Sequence, residues 1–225
     1  MSTSFKSLGL AIALALAGCS QAPPVESADA AVPADTMTEV PAADASVPAP
    51  QLQTAMRDLW HGHIVHAREY ALAVHAGHQA EATAASDKVV ENARQISGAV
   101  AGFYGRAGGD QMLTLLGGHW GAVKTMTDAR AAKDEAGAAR AMDELDANAA
   151  AIAKFLAGAN PNLPEDSVHG LMLAHGAHHS QQIRLIMADD TAGEAQEWAA
   201  MQSHMDMIAD ALAAAIAKQF PDEAS

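Results

Sequence analysis

Between Gln51 and Phe220, apolar residues recur at the spacing of an α-helix in one long segment after another, with few β-branched residues. In the first segment the apolar stripe consists of Leu52, Met56, Leu59, Ile64, Ala67, Tyr70 and Val74. The length of this part of the chain suits one domain. We therefore predict an all-α fold, an antiparallel helical bundle of about five to six helices over residues 51–220, followed by a tail at 221–225.

Turn and capping residues divide this domain into predicted helices. The predicted helices are Gln51–Gln79, Thr83–Arg106, Asp110–Ala132, Ala136–Ala157, Pro164–Ala188 and Ala192–Phe220. Gly108-Gly109-Asp110 supplies a break followed by an N-cap, and Gly158 with Asn160-Pro161 ends the fourth helix. The junction near Gly137 carries the weakest signal, and the alternative there is a third and fourth helix that are partly continuous.

The N-terminal region has Lys6 in a short polar start, an apolar run too short to span a bilayer, and then Leu16-Ala17-Gly18-Cys19. This pattern resembles the bacterial lipoprotein signal. We therefore expect residues 1–18 to be a signal peptide and Cys19 to be lipidated. In Gram-negative lipoproteins, a residue other than Asp after the cysteine is typical of export to the outer membrane. Ser20 thus predicts a lipid-anchored, outer-membrane protein that faces the periplasm.

Residues 19–50 are rich in Ala, Pro and acidic residues and nearly lack aromatic side chains. Proline interrupts any helix there, and the acidic residues have no Lys or Arg to balance them. Such a segment cannot bury enough apolar surface to order itself. We predict a disordered tether between the lipid anchor and the helical domain.

The chain is strongly acidic, with a formal net charge of -14 at pH 7. This charge disfavours binding to nucleic acid or to anionic lipid headgroups, and it favours attraction of cations. A charged surface is usually a solubility device, so the charge alone predicts no partner, and the sequence does not indicate a protein partner.

Histidine recurs near the middle of the apolar face of several predicted helices. His63, His119 and His175 lie close to the centres of their stripes, and the first, third and fifth helices run parallel if successive helices alternate in direction. Their histidines then lie at nearly the same height, within one turn. His179 shares a face with His175. His66 and His204 lie at the edges of their stripes.

Several buried imidazoles at one height are difficult to explain by packing alone, because each needs a hydrogen-bond partner. We predict a transition-metal site formed by His63, His119 and His175, with His179, His204 and His66 assisting. Cys19 is the one cysteine of the chain, so the folded domain has no thiol ligand. Copper is preferred slightly over zinc, because the core is rich in Met and the compartment is oxidising.

Other functions remain alternatives. A di-iron centre is disfavoured, because it needs inward Glu residues and Glu-x-x-His motifs. The sequence has no such motif, and Glu197 is the one obvious inward carboxylate. Hydrolytic triads and phosphate-binding loops are absent from the sequence. An interaction module with structural histidines, or an oxidoreductase that uses a His-bound metal or haem, remains open. An enzyme is the less favoured of these classes.

The domain also resembles a family of small helical bacterial proteins, common in spore-forming Gram-positive bacteria and often mislabelled acetylglutamate kinase. The shared positions are Leu59-Trp60, His63, Arg68, Phe103-Tyr104-Gly105, His119, Asn148-Ala149, Phe155-Leu156, Asn160-Pro161, His175, Asp210 and Lys218-Gln219-Phe220. The resemblance implies a helical fold with His at the places of His63, His119 and His175. At the places of His66, His179 and His204 the family usually has an aromatic residue, Thr and Gln, respectively. The resemblance implies no established activity.

Overall fold

The computed structural model describes residues 49–223, and within this range it contains α-helices and no strand. The helices are α1 (Pro50–His75), α2 (Gln79–Ala131), α3 (Glu135–Ala159), α4 (Glu165–Met187) and α5 (Thr191–Gln219). The prediction of an all-α bundle is confirmed. The predicted signal peptide, Cys19 and nearly all of the predicted tether lie outside the described residues. Across residues 49–223, no helix is long and apolar enough to cross a membrane.

The second and third predicted helices are the two halves of α2, which meet at a kink at Gly105. The predicted break is therefore present, but it lies at Gly105 and not at Gly108-Gly109-Asp110, where the chain is helical. Gly105 has φ 74° and ψ 171°, a region essentially restricted to glycine. The kink separates residues 79–104 (α2a) from residues 106–131 (α2b). Ser97 donates a hydrogen bond of 2.7 Å to the Gly109 carbonyl and so ties the two halves together.

The third and fourth predicted helices are separate, so the alternative in which they are partly continuous is wrong. Helix α2 ends at Ala131 and α3 begins at Glu135. Between them Lys133 adopts φ 58°, and the Asp134 side chain accepts a hydrogen bond of 2.9 Å from the Gly137 backbone N–H. Gly137 therefore lies in the first turn of the capped helix α3. The residue with positive φ between the two helices is Lys133.

Replacement of Gly105 by alanine is expected to lower the free energy of unfolding by about 1–3 kcal/mol, because alanine is strained at this φ and ψ. Gly102 provides the matched control, since it lies three residues earlier in the helix and an added Cβ would meet no atom within 4 Å. Gly102→Ala should be neutral or stabilising by up to about 1 kcal/mol. Urea unfolding of both variants checks this, and equal effects would contradict the assigned role of the kink.

Three helical hairpins of the same design make up the domain, and they repeat at an interval of 56 residues. The hairpins are α1 with α2a, α2b with α3, and α4 with α5. Each turn contains a residue with positive φ at the same place in the repeat. These residues are Gly77 (φ 72°), Lys133 (φ 58°) and Asp189 (φ 56°). His63, His119 and His175 also occupy one repeat position, near the middle of the first helix of each hairpin.

The two helices of each hairpin are joined by an equivalent side-chain hydrogen bond. A side chain on the second helix donates to the backbone carbonyl of the residue four positions before the central histidine. The three bonds are Asn92 Nδ2 to Leu59 O (2.8 Å), Asn148 Nδ2 to Leu115 O (3.0 Å) and His204 Nε2 to Leu171 O (2.9 Å). The repeat therefore covers the turn, the central histidine and the anchoring bond, and the third hairpin uses histidine where the others use asparagine.

The central histidines lie between two apolar clusters. Helices α1, α2 and α4 each contact the other two, while α3 packs on α2 and α4 and α5 packs on α1 and α4. One cluster includes Met56, Met112 and Met172, which precede the histidines along their helices. The other includes Tyr70, Met126 and Ile186, which follow them. The histidine layer is thus enclosed by apolar side chains above and below.

Candidate metal centre

Four histidines meet in the layer between the two apolar clusters. His63 comes from α1, His119 from α2b, and His175 and His179 from α4. All four are 2–5 % exposed. One ring nitrogen of each can be chosen so that the four nitrogens all lie within 4.8 Å of one another. The structure therefore brings together the three central histidines of the prediction and one of the three assisting histidines.

The three histidines of the repeat form a nearly equilateral triangle. The ring centroids of His63 and His119 are 5.5 Å apart, those of His63 and His175 5.8 Å, and those of His119 and His175 5.2 Å. His179 joins this triangle as a residue particular to the third hairpin. Its Nε2 lies 3.1 Å from Nε2 of His175, so one of these two rings donates a hydrogen bond to the other.

Several nitrogens of these rings have no hydrogen-bond partner among residues 49–223. They are both nitrogens of His63, Nε2 of His119 and Nδ1 of His175. A buried polar atom without a partner typically costs about 1–3 kcal/mol. Packing and hydrogen bonding within the described chain therefore leave these imidazoles unsatisfied, and bound metal would supply the missing interactions.

Burial keeps the four imidazoles neutral. It lowers the pKa of His63 to about 3, with smaller contributions from His119 and His66. It lowers the pKa of His119 to about 4, and the neighbouring Asn148 amide acts in the opposite direction. Desolvation also holds the pKa values of His175 and His179 well below the usual range, and each is lowered further by other histidines of the cluster. A neutral imidazole is the form that binds a metal ion.

Asn148 lies next to His119 and makes the anchoring bond of the second hairpin. Its Nδ2 donates to the Leu115 carbonyl, while its Oδ1 has no partner of good hydrogen-bond geometry in the described part of the chain. The contact with His119 nevertheless raises the pKa of that imidazole, as an oxygen acceptor does. An amide oxygen in this place can orient the ring for metal binding through the other nitrogen.

His66 and His204 lie outside the four-histidine cluster, which corrects their predicted place as its ligands. His66 Nδ1 is 3.0 Å from Oε2 of Glu69, and its side chain is 26 % exposed. His204 is buried, but its Nε2 donates to the Leu171 carbonyl, and its ring lies 6.4 Å from that of His175. The edge positions that helical periodicity gave these residues place them beside the cluster.

A second group of polar residues adjoins the cluster on α4 and α5. His178 Nδ1 lies 2.5 Å from Oε1 of Glu197, and the His178 ring lies 5.0 Å from that of His204. Sequence reasoning missed His178, because it lies beside the apolar stripe of α4 and not within it. The third hairpin departs from the repeat at Glu197 and His204, which both lie next to His178, and these departures would have drawn attention to it.

Comparisons with protein families, curated proteins and solved structures find no match to this chain. The class of site is therefore defined by its own geometry, as four buried histidines within a helical bundle that lie close enough to hold a metal ion.

Proposed function

We propose that His63, His119, His175 and His179 bind one transition metal ion, copper ahead of zinc, in a lipoprotein that faces the periplasm. Its role would be metal buffering, delivery or sensing. The observation that carries this proposal is the set of buried, neutral imidazoles whose nitrogens lack partners within residues 49–223. The N-terminal segment that resembles a lipoprotein signal and ends at Cys19 supports the location. We expect Cys19→Ser to lose its association with the membrane, which fractionation would test.

The spacing of the nitrogens suits a single ion after a small adjustment. In a tetrahedral site with metal–nitrogen bonds of about 2.0–2.1 Å, the nitrogens are about 3.3 Å apart. The four nitrogens in the structure lie within 4.8 Å of one another. Small side-chain rotations close this difference, since three of the rings already surround a common centre.

The charge of the site favours copper in its monovalent form. The cluster contains four neutral imidazoles and no carboxylate, so the charge of the occupied site equals the charge of the ion. A buried charge without a compensating partner is costly, and the cost rises steeply with the size of the charge. Cu(I) therefore fits better than a divalent ion, and zinc is the runner-up because it accepts the same tetrahedral geometry.

The same geometry disfavours a haem. Each ring centroid of the cluster lies within 5.9 Å of the other three. A porphyrin between two of these rings would displace the others. The oxidoreductase alternative therefore requires a single metal ion at this centre.

Elemental analysis tests the proposal directly. The chain is purified in mild detergent without an affinity tag, analysed for metals, and analysed again after reconstitution with Cu(I) or Zn(II). One tightly held ion per chain is the expected result, and Cu(I) should outcompete Zn(II) at equal free concentrations. Failure to retain either ion, with unchanged thermal unfolding, would show that the histidines are structural.

A further inference from the structure

The third hairpin differs from the other two at three positions in and beside the four-histidine cluster. The residues at these positions are His179, Glu197 and His204. At the matching repeat positions the other hairpins have Ala67 and Val123, Ala85 and Ala141, and Asn92 and Asn148. The first two hairpins form the same turn and the same anchoring bond without these residues. Packing of the hairpin therefore does not require His179 or Glu197, and an asparagine makes the anchoring bond of His204 in the other two hairpins.

These residues, together with His178, form a continuous series of side chains from the surface to the cluster. Glu197 contacts His178, the His178 ring lies 5.0 Å from that of His204, and the His204 ring is stacked 6.4 Å from that of His175. The side chains of His178 and Glu197 are 25 % and 16 % exposed, whereas His204 and His175 are buried. The series thus passes from partly exposed to buried groups.

Hydrogen bonds fix which nitrogen of each ring is free. Glu197 accepts from Nδ1–H of His178, which leaves the lone pair of Nε2 available. The Leu171 carbonyl accepts from Nε2–H of His204, which leaves the lone pair of Nδ1 available. Histidines that bind metals are commonly held in this way, with the second nitrogen donating to a carboxylate or a backbone carbonyl.

We propose that His178 and His204 form a second, more accessible Cu(I) site, oriented by Glu197, through which the ion passes to and from the four-histidine centre. Two imidazoles hold the ion less tightly than four, so the ion moves on to the buried centre. The transfer step rests on the proposed function of that centre. The binding of an ion by His178 and His204 does not.

His66 supplies a matched control, because it occupies the repeat position of His178. Its side chain is 26 % exposed and its Nδ1 contacts a glutamate, as in His178. Its surroundings differ, because Lys88 also binds that glutamate and Asn92 stands at the place of His204. A cation and an amide at these positions do not favour a metal ion.

Stopped-flow transfer of Cu(I) from the coloured bicinchoninate complex to the full-length apo-protein tests the route. His178→Gln is expected to slow loading about tenfold or more, while His66→Gln leaves the rate unchanged. In both variants the equilibrium affinity of the buried centre should remain at the wild-type value. An unchanged loading rate in His178→Gln would overturn the route.

A second measurement tests the site without the buried centre. The variant His63→Leu with His175→Leu should still bind one Cu(I) per chain, more weakly, and adding His178→Gln should remove it. Absence of this ion from a folded double variant would overturn the second site. If the wild-type chain bound Cu(I) only as weakly as the double variant does, the proposal of a buried centre would be contradicted. The proposal of a second site would still hold.

Discussion

Replacement of His119 and His175 together by leucine is expected to weaken binding of Cu(I) by about 10⁴-fold or more. Four ligands of a structural metal site typically supply about 10–16 kcal/mol, so two of them account for a large part of the affinity. Leucine fills the buried space without introducing a polar group, and it suits the apolar clusters on either side. Competition with a chelator of known affinity measures the loss.

The control for this experiment is the pair His61→Gln and His75→Gln. His61 lies 2.8 Å from Asp206 and His75 lies 2.8 Å from Asp189, and both side chains are partly exposed. Neither belongs to the four-histidine cluster. Their replacement should leave the affinity unchanged, and equal losses in the two double variants would show that metal binding is a general property of histidines on this chain.

Helical periodicity was sufficient to predict the fold and the centre of the candidate site. It placed His63, His119 and His175 at the middle of apolar stripes, and the structure brings these three side chains together. The prediction succeeded because a residue at the centre of an apolar stripe has one direction in which to point. His179 followed from the same rule, since it lies one turn after His175.

Periodicity was less informative at the edges of the stripes. A histidine at an edge can point into the bundle, contact an acidic neighbour or bind a backbone carbonyl, and spacing does not distinguish these cases. His66 contacts Glu69 and His204 binds the Leu171 carbonyl. Glu69 lies on the same helix as His66, so the sequence already offered that contact. Leu171 lies on a different helix from His204, so the second outcome required the packing of the bundle.

The recurrence at 56 residues was present in the sequence and was the signal that would have improved the prediction. Gly62-His63 and Gly118-His119 mark the same place in two hairpins, as do Asn92 and Asn148. Matching the repeats would have located the chain break by analogy with Pro161, since Gly105 occupies that position. It would also have shown His204 as the counterpart of two asparagines and identified its structural bond.

The repeat also explains why the site is buried yet poorly satisfied. Three equivalent helices bring three equivalent histidines to the middle of the bundle, where apolar clusters exclude alternative partners. Apolar residues at these positions would make a more stable core, because unpaired buried nitrogens reduce stability. The presence of histidine at every repeat therefore supports the proposal that the three side chains bind one ligand.

The apo-protein is expected to lose stability steeply as the pH falls below about 6.5. The folded state holds the pKa of His63 at about 3 and that of His119 at about 4, whereas an unfolded histidine titrates near 6.5. Between these values the unfolded state binds more protons, so the free energy of unfolding falls as the pH falls, by about 1.4 kcal/mol per pH unit for each imidazole. Above about pH 7 both states are neutral and the effect vanishes.

His175 and His179 add to this loss, because their pKa values are lowered in the same direction. The combined loss is a large part of a total stability of about 5–15 kcal/mol, so the domain should resist urea much less at about pH 4 than at about pH 7. Urea titrations at a series of pH values measure the slope.

His63→Leu should make the slope shallower by about 1.4 kcal/mol per pH unit, because one titrating imidazole is lost. It should also stabilise the apo-protein at pH 7 by about 1–3 kcal/mol, because it removes two unpaired buried nitrogens. Destabilisation by His63→Leu at pH 7, or a slope equal to that of wild type, would mean that His63 is satisfied in the folded apo-protein and would remove the main reason for placing a metal ion beside it.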